Sequence, residues 1–600
     1  MVTFRVDFEP LGLRVNCAHR ALLSEVAREA GVGLMSVCGG TGLCGRCRVQ
    51  VMAGAISPLT ELERERLSTD EIANGCRLAC QTHVLGNIKV CVPPTSLLIS
   101  QRLQLVGEEV EVAFEPAVKE WLVALKPASI DDPRPDWERL VEELESTHRQ
   151  CVAKVDLMPL RNLSSLLREN TWKVRMSIRD GEIIDVRPPD QNPLGLAVDL
   201  GTTKIALYLI DLETGKNIAV EGMMNPQIAY GEDVISRIAY AMENGGMKLQ
   251  QVVIEELNEL IGKLCPEPKR IIEMTLVGNT VMHHLFLGLP VRQLGVAPYV
   301  PVMKASLDVK ARDIGLRIAP GAYVHALPNV AGFIGCDHTA MILATGIYRT
   351  DKTVLGLDIG TNTEIVLAHR GKLMSTSCAS GPAFEGGHIT CGMRAAKGAI
   401  EKVNISGSHI RFQTVHDAPP IGLCGSGVLD AIAELCRIGL INRRGRLGNG
   451  PGIRQVGTTR EFVLISGERS GTGRDITITQ KDISEIQLAK AAIRTGIEAL
   501  LDEMKVAWEE IEEVIIAGGF GTCINPASAI TIGMFPPLPL ERFKEVGNAA
   551  GIGAKLALIS RSQRAKADEI AGTIFHLELM ARPEFNEQFA HALYFPAHEI

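Results

Sequence analysis

Aromatic residues make up only 4% of the 600-residue chain. That is too few to build the stacking platforms on which single-stranded nucleic acid is held. An excess of positive charge is missing too: 62 Lys and Arg face 70 Asp and Glu, for a formal net charge of −8. Binding through phosphate neutralisation needs the opposite balance, so no nucleic-acid partner is expected. No stretch approaches the roughly eighteen consecutive apolar residues of a membrane span, which points to no membrane partner. The start, MVTFRVDFEPLGLRV, lacks the basic segment and continuous apolar core of a secretory signal, and a cytoplasmic location is expected. There is also no G-x-x-x-x-G-K-[ST], so the phosphate cradle of P-loop ATPases is not supported.

What is present is a folded composition, 46% apolar and 22% charged, long enough for several domains of roughly 150 residues. The 15 cysteines are unevenly spread: Cys17, Cys38, Cys44, Cys47, Cys76, Cys80 and Cys91 all fall in the first 91 residues. An odd count in a long chain without an export signal favours reduced thiols and metal ligands over a disulfide framework. Anaerobic chemistry is expected if that metal site is redox-active.

Two short strands, Val2 to Phe8 and Leu11 to Val15, are expected around a Glu9-Pro10 turn, followed by a helix over Ala21 to Ala30. Then comes SVCGGTGLCGRC, a C-x5-C-x2-C run, and a strand over Arg48 to Met52. A further thiol lies in CRLACQT, before a last strand around Asn87 to Val92. A [2Fe–2S] cluster needs four thiolates and a loop able to wrap an inorganic core. Gly39, Gly40, Gly42 and Gly45 permit the backbone angles and bring N–H groups near the sulfurs. A structural zinc ion also takes four Cys, but usually between two short knuckles, whereas here one half is a lone Cys.

The run CGGTGLCGRC followed by RLACQT resembles the β-grasp [2Fe–2S] ferredoxin domains over residues 1–94. The resemblance implies Cys38, Cys44, Cys47 and Cys80 as ligands, with Cys76 a small buried residue. Residues 95–110 are expected to be a linker. Residues 111–190 form a small middle domain, with helices over Trp137 to His148 and Leu160 to Asn170 and a hairpin turning at Asp180-Gly181. No chemical constellation occurs there. Packing or partner docking is the expected role, and Cys151 is read as structural.

From residue 191 onward an apolar strand ends in Asp199-Leu-Gly201-Thr202-Thr203, and a second copy about 155 residues later ends in Asp358-Ile-Gly360-Thr361-Asn362-Thr363. Hairpin tips of this type offer N–H groups and hydroxyls to phosphate oxygens, and the aspartates can hold Mg2+ through water. The repeat implies a duplicated domain with a cleft between halves. Two buried hairpins without a ligand are the plain alternative. Together with Ala517-Gly518-Gly519-Phe520-Gly521, these loops resemble the acetate kinase/sugar kinase/Hsp70/actin (ASKHA) superfamily. The resemblance implies an adenosine loop at Gly518, Gly519, Phe520 and Gly521, Mg–ATP between the lobes, and connecting helices over Leu327 to Asp337 and Gly547 to Gly553.

Less decisive features are the Asn225 to Asp233 loop, expected near the first phosphate site, and the Ser380 to His388 and Cys424 to Gly427 segments, which line the cleft or a docking face. His283-His284 is expected to be a satisfied core pair whose side chains point in different directions. Cys378, Cys391 and Cys424 are read as buried thiols, and Lys481 to Leu501 as a core helix.

The fold class is therefore α/β multidomain: a β-grasp ferredoxin domain (1–94), a linker (95–110), a small α+β middle domain (111–190) and a duplicated actin-like ATPase domain (191–600). This architecture resembles the reductive activators of corrinoid proteins. The resemblance implies ATP-dependent, one-electron reduction of a Co(II) corrinoid protein of a methyl-transfer system to Co(I), with an upstream electron donor it does not identify and a homodimer admitted. No Cys follows Cys523, which excludes the relatives with C-terminal [4Fe–4S] motifs. Two other readings stand beside it: a small-molecule kinase with a regulatory ferredoxin domain and Asp337 as its catalytic acid, or a non-enzymatic redox sensor or scaffold.

Overall fold

The computed structural model of the chain describes residues 3–9, 13–36, 38–93, 96, 110–407, 409–519 and 524–597. Pro10 of the expected Glu9-Pro10 turn, most of the 95–110 linker, Phe520, Gly521 and Cys523 lie outside the described residues.

The N-terminal unit is a five-stranded mixed sheet in the order Leu13–Ala18, Thr3–Glu9, Val84–Cys91, Arg48–Ile56, Cys76–Leu78. Thr3–Glu9 runs antiparallel to Leu13–Ala18 and parallel to Val84–Cys91. Alternation along Thr3–Glu9 turns Val6 and Phe8 inward, where the helix Leu23–Glu29 covers them with Leu23, Val26 and Ala27. Two short helices that hydrophobic periodicity does not reveal, Glu61–Arg66 and Thr69–Ala73, begin on capping boxes built by Thr60 with Glu63 and Ser68 with Glu71. Glu63 is fully buried, pairs with Arg77 at 2.8 Å and accepts from the Leu78 N–H. It thereby fixes the strand that leads into Cys80.

Next along the chain, strands order as Val118–Ala124, Lys173–Arg179, Glu182–Arg187, Lys154–Val155, with helices Asp136–Ser146 and Leu157–Glu169 packed on the sheet. The hairpin turns at Asp180 and Gly181, both at positive φ. Charge joins this small sheet to the next domain. The buried Glu273 carboxylate accepts from Arg179 at 3.2 Å and from Arg564 at 2.9 Å.

The large part is two lobes of the same plan. In the first, Leu194–Leu200 pairs antiparallel with Lys204–Asp211, which pairs with Asn217–Met224; Ile271–Val277 and Tyr323–Ala326 continue the sheet in parallel. In the second, Val354–Ile359, Thr363–His369 and Lys372–Cys378 repeat the meander, and Glu513–Ala517 and Phe543–Gly547 repeat the parallel pair. The two central strands read as unbroken apolar runs because helices cover both faces, and only the aspartate in each, Asp199 or Asp358, escapes full burial. Helices Cys336–Thr345 and Ala549–Ile559 cross between the lobes. A Cβ on Gly553 would stand 2.1 Å from the Ala340 carbonyl oxygen, so only glycine admits this crossing.

Several expectations need correction. Leu327 to Gly335 is not helical; the helix begins at Cys336, because Gly332 and Gly335 are pressed against Tyr299 and Asn279 backbone in a loop. Cys151 is exposed, in the loop before Lys154, and holds no core together. Cys76 and Cys391 are half-buried, not buried, whereas Cys378 and Cys424 are buried. His283 and His284 are fully buried, but their rings face each other with Nδ1 atoms 3.3 Å apart. The long helix Gln480–Met504 is a core helix, as its periodicity implies.

Candidate functional site

Chemistry-bearing groups gather at two adjoining places. The first is the loop from Cys38 to Cys47. Gly39, Gly40, Gly42 and Gly45 all adopt positive φ, which lets the loop curl tightly enough to aim three thiols inward. The Cys38 thiol lies within hydrogen-bonding range of Cys44 and Cys80, and the Cys47 thiol within range of Cys80. Gln81 ties the two halves, donating to the Gly40 carbonyl at 3.0 Å. Among the described residues, no three or more His, Cys, Asp or Glu side chains are arranged around one metal ion. The thiols instead form a chain of contacts, Cys44 to Cys38, Cys38 to Cys80 and Cys80 to Cys47. Four thiols strung out in this way, and not gathered around one point, suit a two-iron core better than a tetrahedral zinc site.

The second place is the cleft between lobes. Both hairpin tips, Gly201 to Thr203 and Gly360 to Asn362, line it, together with Gly518 and Gly519 from the loop after Glu513–Ala517. Gly518 sits at φ 92°, and a Cβ there would strike Asp358 Oδ1 at 2.4 Å, so the loop passes the aspartate as bare backbone. Thr363 does not join the lining; its hydroxyl turns away to Ser380 at 2.9 Å. Of the expected adenosine loop, Gly518 and Gly519 are described and Phe520 and Gly521 are not.

Carboxylates dominate the cleft floor. Burial pushes Asp199 up to about 6, against the hydrogen bond it accepts from Asn548 at 2.9 Å. Burial and the neighbouring Asp199 charge push Asp358 up to about 7. Asp337, half-buried, is raised by desolvation and by the Asp358 and Asp199 charges to about 8, and Glu364 is raised by burial and by Asp337 and Asp358. A cation would relieve acids that raise one another, and carboxylate oxygens are the donors Mg2+ takes, although among the described residues no three of these acids close around one point.

Around this floor stand residues that motif reasoning alone passes over. Asn279, the N-cap of Thr280–Phe286, donates to the Thr202 hydroxyl at 2.8 Å, and Asn548 caps Ala549–Ile559 while holding Asp199. Both stand at the start of a helix just after a strand, a pattern visible in V-G-N-T and V-G-N-A. Glu385, from the Ser380 to His388 segment, is buried between the two tips. It accepts from Thr203 at 3.2 Å and from Thr361. The Asn225 to Asp233 loop does adjoin the first tip: Asn225 donates to the Gly201 carbonyl and Arg237 to that of Thr202. Arg237 is fully buried, and desolvation pulls it down to about 9. Cys424 to Gly427 instead starts the helix Gly425–Arg437, packed on Phe384.

The two places are joined through segments next to those that line the cleft. A Cβ on Gly39 would stand 2.8 Å from the Tyr230 carbonyl oxygen. The Arg28 guanidinium lies 4.5 Å from the Tyr230 ring centroid and donates to its hydroxyl at 2.9 Å, and Arg46 donates to the Ile389 carbonyl at 3.2 Å.

Comparison with known proteins divides the chain into four matched regions. Residues 6–85 match the 2Fe-2S iron-sulfur cluster binding domain, 107–193 the RACo linker region, 194–350 the RACo middle region and 352–600 the C-terminal domain of RACo, the ASKHA domain. The chain is 33% identical over 605 residues to corrinoid activation enzyme RamQ of Eubacterium limosum, covering 98% of each. It is 26% identical over 425 residues to a [Co(II) methylated amine-specific corrinoid protein] reductase of Methanosarcina barkeri, covering 65% of this chain and 75% of that one. A solved structure of a reductive activator for corrinoid, iron-sulfur protein superposes with a TM-score of 0.72 at 37% identity, over 99% of this chain and 98% of that one.

Proposed function

The chain belongs to the RACo family of reductive activators, and from that premise we propose that it is an enzyme that reduces the Co(II) corrinoid of a partner protein to Co(I), coupled to Mg–ATP in the lobe cleft. Cys38, Cys44, Cys47 and Cys80 would together hold a [2Fe–2S] cluster. When bound, that cluster supplies the single electron, its reduced state giving up one electron as Co(II) becomes Co(I). The observation that carries the reading is the contact of the cysteine loop with both of the duplicated lobes, on segments next to those that line the acid-floored cleft.

Each residue has a part in it. The N–H groups and hydroxyls of Gly201 to Thr203 and Gly360 to Asn362 would receive phosphate oxygens. Asp199 and Asp358 would hold Mg2+ through water, Asn548 keeping the Asp199 carboxylate oriented. Gly518 and Gly519 would pass the adenosine as bare backbone. A partner that binds one nucleotide state better than another draws free energy from that difference and from nothing else.

The test is anaerobic. Cluster-loaded protein, a reductant and a Co(II) corrinoid protein of a methyl-transfer system are mixed with and without Mg–ATP, and the Co(II) EPR signal is followed. Loss of the signal with ATP, its persistence without, and failure of Asp358→Asn are expected. An unchanged Co(II) signal for every corrinoid protein tried refutes the proposal.

A further inference from the structure

The cluster domain touches the large part at two points, one on each lobe, and each lies near a segment that reaches the cleft. Arg28 sits on Tyr230, which precedes Gly231 and Glu232 of the first lobe. Arg46 reaches the Ile389 carbonyl of the second. Between these points the lobes are joined by a nearly buried ion pair, Glu232 with Arg394 at 3.2 Å.

Both points are wired to the phosphate-loop tips. On the first lobe, Arg237 spans from the Gly231 carbonyl at 2.9 Å to the Thr202 carbonyl, and Asn225 N–H donates to the Thr203 carbonyl at 2.9 Å. On the second, the buried Glu385 accepts from Thr203 and Thr361, and it lies four residues before Ile389. That short stretch is stiff: a Cβ on Gly386 would stand 2.4 Å from the Met393 carbonyl oxygen, and Gly387 N–H is bound to the Pro382 carbonyl. Thr203 and Thr361 hydroxyls therefore serve Glu385 in the cleft as it stands, and they are the same hydroxyls that phosphate oxygens would claim.

We propose that the cluster domain is clamped across the two lobes, one arginine on each, and that nucleotide entering the cleft releases the clamp by taking Thr203 and Thr361 from Glu385 and moving the lobes. Two anchors on two bodies cannot both keep hydrogen-bond geometry when those bodies rotate, because a shift of one ångström already carries a 3.2 Å contact out of range. In the clamped state the Cys38–Gly39 side of the loop faces Tyr230 and is half-covered; release uncovers it. The inference rests on nucleotide binding in this cleft, and it adds what nucleotide does to the cluster domain.

The experiment uses full-length, cluster-loaded protein, reduced and mixed rapidly with ferricyanide; each cluster passes one electron to one ferricyanide, and the return of the oxidised cluster's visible absorption is followed outside ferricyanide's own band. Mg–ATP is expected to raise the oxidation rate about tenfold, equivalent to about 1.4 kcal/mol of clamp. The doubly substituted Arg28→Ala, Arg46→Ala protein is expected to react at the fast rate with or without nucleotide. Removing two positive charges slows the approach of an anion, so an acceleration comes from exposure alone. The visible spectrum confirms that the variant retains its cluster, and equilibrium dialysis of ATP is run on the same samples. A variant as slow as the wild type overturns the clamp whatever ATP does. ATP that binds without changing the wild-type rate overturns the coupling but leaves the proposed ATP site standing. ATP that does not bind overturns the coupling and the proposed ATP site together, and the arginine variant still decides whether the domain is held.

Discussion

Gly553→Ala sets two physical effects of opposite sign against each other. Alanine in place of glycine inside a helix normally stabilises by about 1 kcal/mol, through backbone entropy and shielding. At Gly553, however, the new Cβ would meet the Ala340 carbonyl oxygen at 2.1 Å, its carbon at 2.6 Å and Cα at 2.7 Å, all backbone. Real Cβ contacts stay beyond 3.0 Å, so Ala549–Ile559 must move from Cys336–Thr345 by about an ångström. Overpacking of a buried crossing costs roughly 1–3 kcal/mol, and backbone on backbone belongs at the upper end. The net expectation is a loss of about 2 kcal/mol. Gly262, exposed in Met247–Leu264 with nothing within 4 Å, is the matched control, where Gly262→Ala is expected to gain about 1 kcal/mol. Urea unfolding followed by circular dichroism should move the two midpoints of the ATPase transition in opposite directions. Because Asn548 at the start of the displaced helix holds Asp199, ATP affinity should also fall for Gly553→Ala and stay level for Gly262→Ala. If both variants raise the midpoint, the helices do not pack as described.

Cys44→Ser should abolish the visible absorption of the cluster domain while Cys76→Ser retains it, since only Cys44 belongs to the linked thiols; equal spectra would contradict the ligand set. Arg77→Met should cost the cluster domain about 3–5 kcal/mol, measured by its thermal transition, because it leaves the fully buried Glu63 carboxylate unpaired. His338 is fully buried, shares a hydrogen bond with Ser375 at 2.8 Å, and is pushed down to about 3 by desolvation. Its unfolded form takes up a proton near pH 6.5 that the folded form refuses, so its contribution is whole above that pH and is lost as pH falls. Relative to His338→Gln, the wild type should lose roughly 2 kcal/mol between pH 6.5 and 5 in denaturant titrations, and a pH-independent difference would refute this.

The sequence was most legible where one residue type has one physical use. Glycines beside Cys38, Cys44 and Cys47 announced a tightly curled thiol loop, and all four take the left-handed region. An apolar strand closed by Asp-x-Gly-Thr, present twice, announced both lobes and both tips. The helix before Asp337 was misplaced because small residues mark close approach in loops as readily as between helices; Gly332 and Gly335 serve the former. Glu61–Arg66 was invisible to periodicity because its polar surface leaves no apolar stripe, and only its capping box betrays it. Glu385 and Arg237 were illegible for another reason. Their roles arise from groups distant in the chain, Thr203 with Glu385 and Thr202 with Arg237, and no local spacing records such pairs.

The shared carboxylate of Glu273 has a practical consequence. With Arg179 of the small sheet on one side and Arg564 on the other, that sheet is fastened to the first lobe by buried charge, not by loose apposition. Pulling it away would strand a buried acid at a cost of several kcal/mol. The small sheet is thus a fixed frame of reference for the first lobe. Its exposed thiol, Cys151, is a natural place for a probe, against which displacement of the cluster domain or of the second lobe can be read as a distance.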